Sequence, residues 1–222
     1  MARVDWDRWA AGSGVVFVVL LLISSFLLTT ASPPSSGDPA QQYVAFLTDH
    51  RTAYLVRGYL TGLALVFFVW FLVSWTVRMR AGGEPRLASI AYGGGLLLAG
   101  WALLAISIQT VFAWRLAGET DPGTVKAVIL VPEFGFAYPL VALAAASTIA
   151  ILRSRMLPTW VGLYGVVATL WFAVSGAAYA KSGFFSPDGA FSLAAFLMFL
   201  GGVLIASVYM IVQPTASRMT TA

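Results

Sequence analysis

Long apolar runs separated by short polar segments dominate the pattern along this chain. Each run is close to the twenty residues that a helix needs to cross a hydrocarbon core about 30 Å thick. The pattern therefore predicts an all-α fold, a polytopic transmembrane helical bundle with six spans that forms a single domain, 1–222. The predicted spans are about 11–30, 54–77, 88–114, 128–152, 159–180 and 190–212.

The first apolar run has two interpretations, a retained helix and a cleaved signal peptide. The segment Thr29-Thr30-Ala31 resembles a cleavage site. However, Asp5 and Asp7 lie in the segment that a signal peptide keeps positively charged. We therefore favour a retained first helix.

A short amphipathic helix is predicted between the first two spans, at about 39–50. It follows a turn-rich connector at 32–37, and Asp38-Pro39 is typical of an N-cap followed by proline in the first turn. Asp121-Pro122 repeats this start pattern before the fourth span. The apolar residues of the short helix fall on one side: Tyr43, Val44, Phe46 and Leu47. This periodicity predicts a helix that lies on the membrane surface.

The distribution of arginine and lysine predicts how the bundle is oriented. Six spans put both termini on one side, whose loops and termini carry Arg3, Arg8, Arg78, Arg80, Arg86, Arg153, Arg155 and Arg218. The other side carries Arg51, Arg57, Arg115, Lys126 and Lys181, balanced there by Asp38, Asp49, Glu119, Asp121 and Asp188. Because basic residues accumulate on the cytoplasmic side, both termini are predicted to be cytoplasmic. The expected location is the inner (plasma) membrane, as a multi-pass protein.

The composition is also typical of a membrane protein. Hydrophobic residues make up 59% of the chain, charged residues 10%, and the mean hydropathy is +0.85. A soluble domain of 222 residues could not cover that much apolar surface with so few charges. The net charge of +4 and the pI near 9.6 raise the question of a nucleic-acid partner. The charges are scattered over short loops, so we expect the bilayer as partner and no nucleic acid.

Cysteine and histidine usage narrows the chemistry further. The chain has no cysteine, which excludes disulfides, iron–sulfur clusters and thiolate metal sites within it. Its single histidine, His50, excludes a bis-histidine haem or a multi-histidine metal site within one chain. We therefore expect no cofactor and no metal site. No phosphate-binding loop, nucleophile elbow or zinc-protease motif occurs in the sequence.

The segment 131–140 is the least regular part of the pattern. It holds Pro132, Gly135 and Pro139, and its one acid, Glu133, is flanked by apolar residues. Prolines and glycine within an apolar helix predict a break, and a broken helix at membrane depth usually lines a cavity. Counting about twenty residues back from Arg153 puts Glu133 at the outer edge of its span rather than at the midplane.

The same count puts other polar residues near the height of Glu133, and two interpretations follow. Arg57 lies at nearly that height, Gln109 just below it and Arg115 above it. In the first interpretation Glu133 forms a structural ion pair with Arg57 or Arg115, which contributes little to stability. In the second, these residues line an outward-facing binding pocket. Tyr54 and Tyr138 would wall such a pocket, or they belong to an aromatic belt at the interface.

Small residues recur at a spacing of four within several predicted spans. They are Ala91, Gly95 and Ala99, then Ala173 and Ala177, Gly176 and Ala180, and Gly202 and Ala206. Such spacing lets helix backbones approach closely in a membrane. The pattern fits packing within one bundle and also a homo-oligomer, and it does not separate the two.

The turn Leu157-Pro158-Thr159-Trp160-Val161-Gly162, preceded by Arg155, resembles a Leu-Pro-x-Trp-x-Gly motif. It is similar to the cytoplasmic turn of small six-helix integral membrane proteins of bacteria, of actinobacterial type, whose function is unknown. The similarity covers most of the chain in layout, including an outer amphipathic segment after the first helix. It implies the architecture and no catalytic residues.

Three functions are compatible with these residues. The first is binding of a small apolar or lipid-like ligand, or of a partner subunit, through an outward-facing pocket near Glu133 and Arg57. The second is a membrane-embedded enzyme, of isoprenoid or lipid cyclase or isomerase type, with Glu133 as general acid. The third is a transporter or channel subunit, which the lack of an inverted repeat and of polar residues near the midplane disfavours.

Overall fold

The computed structural model describes residues 6–26, 33–130, 135–177, 180, 183–186 and 189–213. Within these ranges the chain forms eight α-helices and no strand. The helices are α1 (Trp6–Phe26), α2 (Ala40–Asp49), α3 (Arg51–Ala81), α4 (Pro85–Trp114), α5 (Pro122–Leu130), α6 (Ala137–Ser154), α7 (Thr159–Ser175) and α8 (Ala190–Val212). A short 3-10 turn at Leu116–Gly118 follows α4. The all-α prediction is confirmed.

Five helices are long and apolar enough to cross a membrane by length and composition. They lie at Arg8–Phe26, Arg51–Ala81, Pro85–Trp114, Ala137–Ser154 and Ala190–Val212. The fifth predicted span, 159–180, corresponds to α7, which is apolar but has only 17 residues. The chain is therefore a multi-pass membrane protein with a helical-bundle fold.

The five span-length helices and α7 form a closed ring. Going round it, α1 packs on α3, α3 on α4, α4 on α6, α6 on α7, α7 on α8, and α8 returns to α1. Aromatic side chains fill the ring between α1, α3 and α8, where the Phe17 ring lies 5.0 Å from that of Phe68 and 6.0 Å from that of Phe199. The first and last helices thus share one continuous core.

Two adjacent glycines allow α4 to fit between α3 and α6. A Cβ atom at Gly94 would lie 2.8 Å from the backbone nitrogen of Leu143 in α6. A Cβ atom at Gly95 would lie 2.5 Å from the methyl groups of Leu72 in α3. Close backbone approach supplies the packing energy that helices in lipid cannot gain from hydrophobic burial. Ala91, Gly95 and Ala99 are all buried, so packing within the bundle explains why small residues recur every four positions along α4.

The long helices differ in length, and the difference creates a second core at one end of the bundle. The 31-residue α3 and the 30-residue α4 reach about 45 Å, whereas the 18-residue α6 reaches about 27 Å. The extra turns of α3 and α4 pack with α2, α5 and the 3-10 turn. We call this unit the cap. The opposite end, which carries Arg78, Arg80, Arg86, Arg153 and Arg155, is the arginine end.

The predicted surface helix is present as α2, but its apolar side contacts protein. Tyr43, Phe46 and Leu47 are buried, in one cluster with Val125 and Ile129 of α5. Lys126 of α5 holds the two helices together, since its Nζ donates to the Asp38 carbonyl at 2.6 Å and lies 5.5 Å from the Tyr43 ring centroid. The amphipathic pattern of α2 therefore reflects the cap core.

Of the two predicted helix starts, one is confirmed and the other is wrong. Asp121 caps α5, because its Oδ2 accepts a hydrogen bond from the backbone N–H of Thr124 at 2.9 Å. Asp38 does not cap α2. Its Oδ2 instead accepts from the backbone N–H of Ser35 at 2.7 Å and closes a turn upstream of the helix.

The predicted fourth span at 128–152 is not one helix over its full length. Residues up to Leu130 belong to α5, and α6 begins at Ala137. Pro139 lies in the first turn of α6, where a missing N–H removes no helical hydrogen bond. The start of the membrane helix is thus shifted toward the arginine end by about nine residues from the predicted start.

At the arginine end, Arg78 is buried rather than exposed in a loop. Its side chain donates from Nη1 to the carbonyl of Gln213 at 2.5 Å, at the carboxyl end of α8. Only 8% of Arg78 is exposed. A cation at a helix carboxyl terminus is stabilised by the helix dipole and by the carbonyl groups left without helical partners.

A second contact at the arginine end is an ion pair. Arg153 Nε lies 2.9 Å from Glu84 Oε1, and this pair joins the α3–α4 turn to α6.

We expect Gly94→Ala to lower the melting temperature of the detergent-solubilised protein and Gly93→Ala to leave it unchanged or slightly raised. The new methyl at position 94 would meet the α6 backbone, and such overpacking destabilises by about 1–3 kcal/mol. A methyl at position 93 would meet nothing within 4 Å. Equal melting temperatures for the two variants would contradict the close contact of α4 with α6.

Arg78→Met is expected to destabilise the bundle, while Arg80→Met, two residues later on the exposed side, serves as control. Methionine retains the aliphatic volume but loses the charged hydrogen bond to α8, which is worth about 2 kcal/mol. Thermal unfolding followed by intrinsic fluorescence measures the difference. If the position-80 variant melts as early as the position-78 variant, the ion–carbonyl contact does not stabilise the ring.

Candidate functional site

The polar residues predicted at the outer edge of the membrane fall into different surroundings. Glu133 lies outside the described residues, so its pairing and its role as a general acid stay predictions. Arg115 follows α4 and forms an ion pair with Glu119, with Arg115 Nε 3.5 Å from Glu119 Oε1 and both side chains exposed. An exposed pair of this kind contributes little to stability.

The other predicted binding residues differ in their burial. Tyr54 is buried in the cap core, and its ring forms a T-shaped pair with that of Phe46 at a centroid distance of 6.1 Å. Gln109 is buried on α4, and Arg57 is half-buried one turn after Tyr54. Tyr138 is 65% exposed at the start of α6. Tyr54 therefore belongs to a protein core, whereas the exposure of Tyr138 fits a residue at a membrane interface.

A cavity lies inside the ring, between α3, α6, α7 and α8. Its volume is about 100 Å³, and none of Tyr54, Arg57, Gln109, Arg115 and Tyr138 lines it. We call it the central cavity. Its walls are mainly Phe, Leu, Val, Ile and Ala side chains of the four helices. Apolar cavities of roughly this size remain dry and take up small apolar molecules, as an engineered cavity of about 150 Å³ takes up benzene.

The central cavity is a narrow slot that follows the helix axes. Its wall on α6 runs from Leu140 to Ile151, and its wall on α7 runs from Val161 to Phe172. Each of these stretches covers about 16 Å at 1.5 Å per residue. Small residues open the slot, because Ala144, Ala168 and Gly202 face it with little side-chain volume.

Two hydrogen bonds anchor the polar groups in the wall of the central cavity. Trp75 Nε1 donates to Ser147 Oγ at 2.9 Å and so joins α3 to α6. The Tyr164 hydroxyl donates to the carbonyl of Met198 at 2.6 Å and joins α7 to α8. Thr148 lies beside Gly165 of α7, where a Cβ atom would overlap the threonine hydroxyl. Glycine at position 165 therefore makes room for that hydroxyl.

Among the described residues that line the central cavity there is no acid, no histidine and no basic residue. Within the described ranges, no group of three or more His, Cys, Asp or Glu side chains could hold a metal ion. Ser147 and Thr148 have no general base beside them in this wall, which activation of a hydroxyl nucleophile requires. The arrangement is suited to holding an uncharged molecule in an apolar environment.

Sequence reasoning missed the central cavity, although part of its wall was visible as a pattern. Gly202 and Ala206 were assigned to helix contacts, and both line the cavity. Ser147-Thr148 is a pair of hydroxyl residues within the alanine-rich run 142–150. Small residues mark either a contact or a void, and only the identity of the facing residues separates the two cases.

The turn at Leu157–Gly162 has a structural explanation in this chain. Arg155 adopts a left-handed conformation with φ of 50° and ends α6, and Leu157 is buried and lines the central cavity. Trp160 is exposed, with its ring 6.3 Å from that of Tyr209.

A comparison of the chain with protein-family models, with curated proteins and with solved structures finds no match.

Proposed function

We propose that this membrane protein binds a small apolar or lipid-like molecule in the central cavity. The observation that carries the proposal is an apolar slot inside the ring, lined by four helices. Protein interiors are close-packed, and an unfilled cavity of 100 Å³ costs about 2 kcal/mol. A hydrocarbon chain from the surrounding bilayer would restore the missing dispersion contacts.

The proposed site differs from the pocket expected near Glu133 and Arg57. Arg57 does not line the central cavity, and the described residues of the wall supply neither a charge nor an acid–base pair. Binding without chemistry is therefore the function that this geometry supports best.

We infer that the chain crosses the membrane six times, with both termini in the cytoplasm and the cap outside. Helix α7 has 17 residues, the lower limit for a spanning helix, and it lies in the ring between two span-length helices. The arginine end carries the excess of basic residues that marks the cytoplasmic side. In bacteria this orientation corresponds to the inner membrane.

Filling the central cavity should remove the bound molecule. Ala168→Leu adds three carbon atoms to a residue that is buried in the wall, whereas Ala173→Leu makes the same change at an exposed position of the same helix. Mass spectrometry of a solvent extract of each purified protein measures what is retained. We expect an apolar molecule in the wild type and in Ala173→Leu, and its loss from Ala168→Leu.

The melting temperature separates loss of binding from loss of folding. Because the new side chain enters existing space, Ala168→Leu should melt no earlier than Ala173→Leu. Retention of the same molecule by a folded Ala168→Leu protein would overturn the proposal.

The absence of cysteine makes orientation directly measurable by single-cysteine labelling. We expect Gln41→Cys, on the exposed side of α2, to react with a membrane-impermeant maleimide in sealed right-side-out vesicles. Arg80→Cys, exposed at the arginine end, should react only after the vesicles are opened. The opposite pattern would show that the cap is cytoplasmic.

A further inference from the structure

The interface between α7 and α8 is bridged at its middle by the side chain of Tyr164. A Cβ atom at Gly202 of α8 would lie 3.8 Å from the Tyr164 ring, and one at Gly201 would lie 2.9 Å from its hydroxyl oxygen. Among the described residues, no other residue of a neighbouring helix has an atom within 4 Å of either Cβ position. Without the Tyr164 side chain, the two glycines would therefore border an opening.

The Tyr164 side chain extends from the central cavity to the outer surface of the ring. Tyr164 and Gly202 both line the cavity, whereas Gly201 does not. Gly201 lies on the same side of α8 as Leu197 and Leu204, which are exposed. Because the Tyr164 hydroxyl lies beside Gly201, the tyrosine ring separates the cavity from the lipid around the bundle.

One hydrogen bond holds Tyr164 in this position. Its hydroxyl donates to the carbonyl of Met198 at 2.6 Å, across the interface. A hydroxyl that turned outward into hydrocarbon would have no acceptor, which favours the bridged position. A single hydrogen bond contributes a factor of about five to an equilibrium constant, so this side chain can still rotate away.

Aromatic contacts hold α7 and α8 together on either side of Tyr164. Toward the cap end, Trp171 stacks on Phe191 at a centroid distance of 4.5 Å, and Trp171 Nε1 donates to the Phe191 carbonyl at 3.1 Å. Toward the arginine end, the ring of Trp160 lies 6.3 Å from that of Tyr209. The tyrosine can therefore turn outward without separation of the two helices.

The other borders of the central cavity are closed by buried residues. Between α6 and α7, a Cβ atom at Gly165 would overlap the Thr148 hydroxyl, so these helices lie close together. Leu140 and Phe172 close the cavity toward the cap end, and Leu157 closes it toward the arginine end. The α7–α8 interface is thus the border at which rotation of one side chain connects the cavity with lipid.

We propose that Tyr164 is a lateral gate through which an apolar molecule enters the central cavity from the bilayer, between α7 and α8. The gate lies about 8 Å from the first residue of α7, in the half of the bundle at the arginine end. The molecule therefore comes from the leaflet on that side. This inference rests on the proposed function, because it assigns the entry route of the molecule bound in the same cavity.

Xenon tests the gate, because it is a small apolar atom that enters apolar cavities. Xenon NMR of the detergent-solubilised protein gives the bound fraction from the signal intensity and the exchange rate from saturation transfer between bound and free xenon. For the wild type we expect a bound signal. It should be absent from Ala168→Leu, whose larger side chain fills the cavity.

Tyr164→Phe keeps the ring and removes the hydrogen bond to Met198. We expect xenon to enter and leave about fivefold faster, the equivalent of one hydrogen bond. A gate changes both rates by the same factor, whereas an altered cavity changes the exit rate alone. Gly201→Ala should act in the same direction, because the new methyl displaces the Tyr164 hydroxyl.

Ser24→Ala is the matched control. It removes a buried hydrogen bond of 2.6 Å between α1 and α3, from Ser24 to Thr61, and neither residue lines the cavity. Xenon should exchange with this variant at the wild-type rate.

The outcomes separate this inference from the proposed function. Wild-type exchange in Tyr164→Phe, or a change in its exit rate alone, overturns the gate while the binding function stands. Equal acceleration in Ser24→Ala also overturns the gate, since the loss of any hydrogen bond between helices would then loosen the ring. If the wild type binds no xenon that Ala168→Leu excludes, the proposed function itself fails, and the inference fails with it.

Discussion

The thickness of the hydrocarbon layer, about 30 Å, is the constraint on which the rest of this structure depends. Helices α3 and α4 are about 15 Å longer than that layer, and α6 is slightly shorter. The turns of α3 and α4 that extend beyond the layer have one side in water, and their apolar side must be covered by another part of the protein. The cap provides the partner, since α2 and α5 cover Tyr54 and Phe112. Helix length therefore determines where the second core forms.

Within the layer, packing is governed by side-chain size rather than by hydrophobic burial, because lipid is as apolar as the protein. Where a small residue faces a backbone or a branched side chain, as Gly94 and Gly95 do, two helices approach closely. Where small residues of several helices face one another, as Ala144, Ala168 and Gly202 do, space remains. The same residue types thus produce both close contacts of α4 and the central cavity.

The sequence was sufficient for the all-helical class and for the presence of five apolar helices long enough to cross a membrane, because hydropathy reports directly on lipid contact. It was insufficient wherever a residue's partner lies far along the chain. Arg78 was counted as an orientation signal, yet its partner is 135 residues away in α8. The apolar side of α2 was assigned to the membrane, but it packs against α5. Periodicity shows that one side of a helix is apolar and does not show whether lipid or another helix covers it. Trp75 and Ser147, 72 residues apart, could not be paired at all.

Closure of the ring between α1 and α8 has a consequence for the order of assembly. A chain that enters the membrane from its amino terminus places α8 last, and until then one side of the bundle is open to lipid. The central cavity has no complete wall before that step, because Phe199, Gly202 and Val203 supply it. Docking of α8 therefore completes the wall, and the central cavity can hold an occupant only once the last helix is in place.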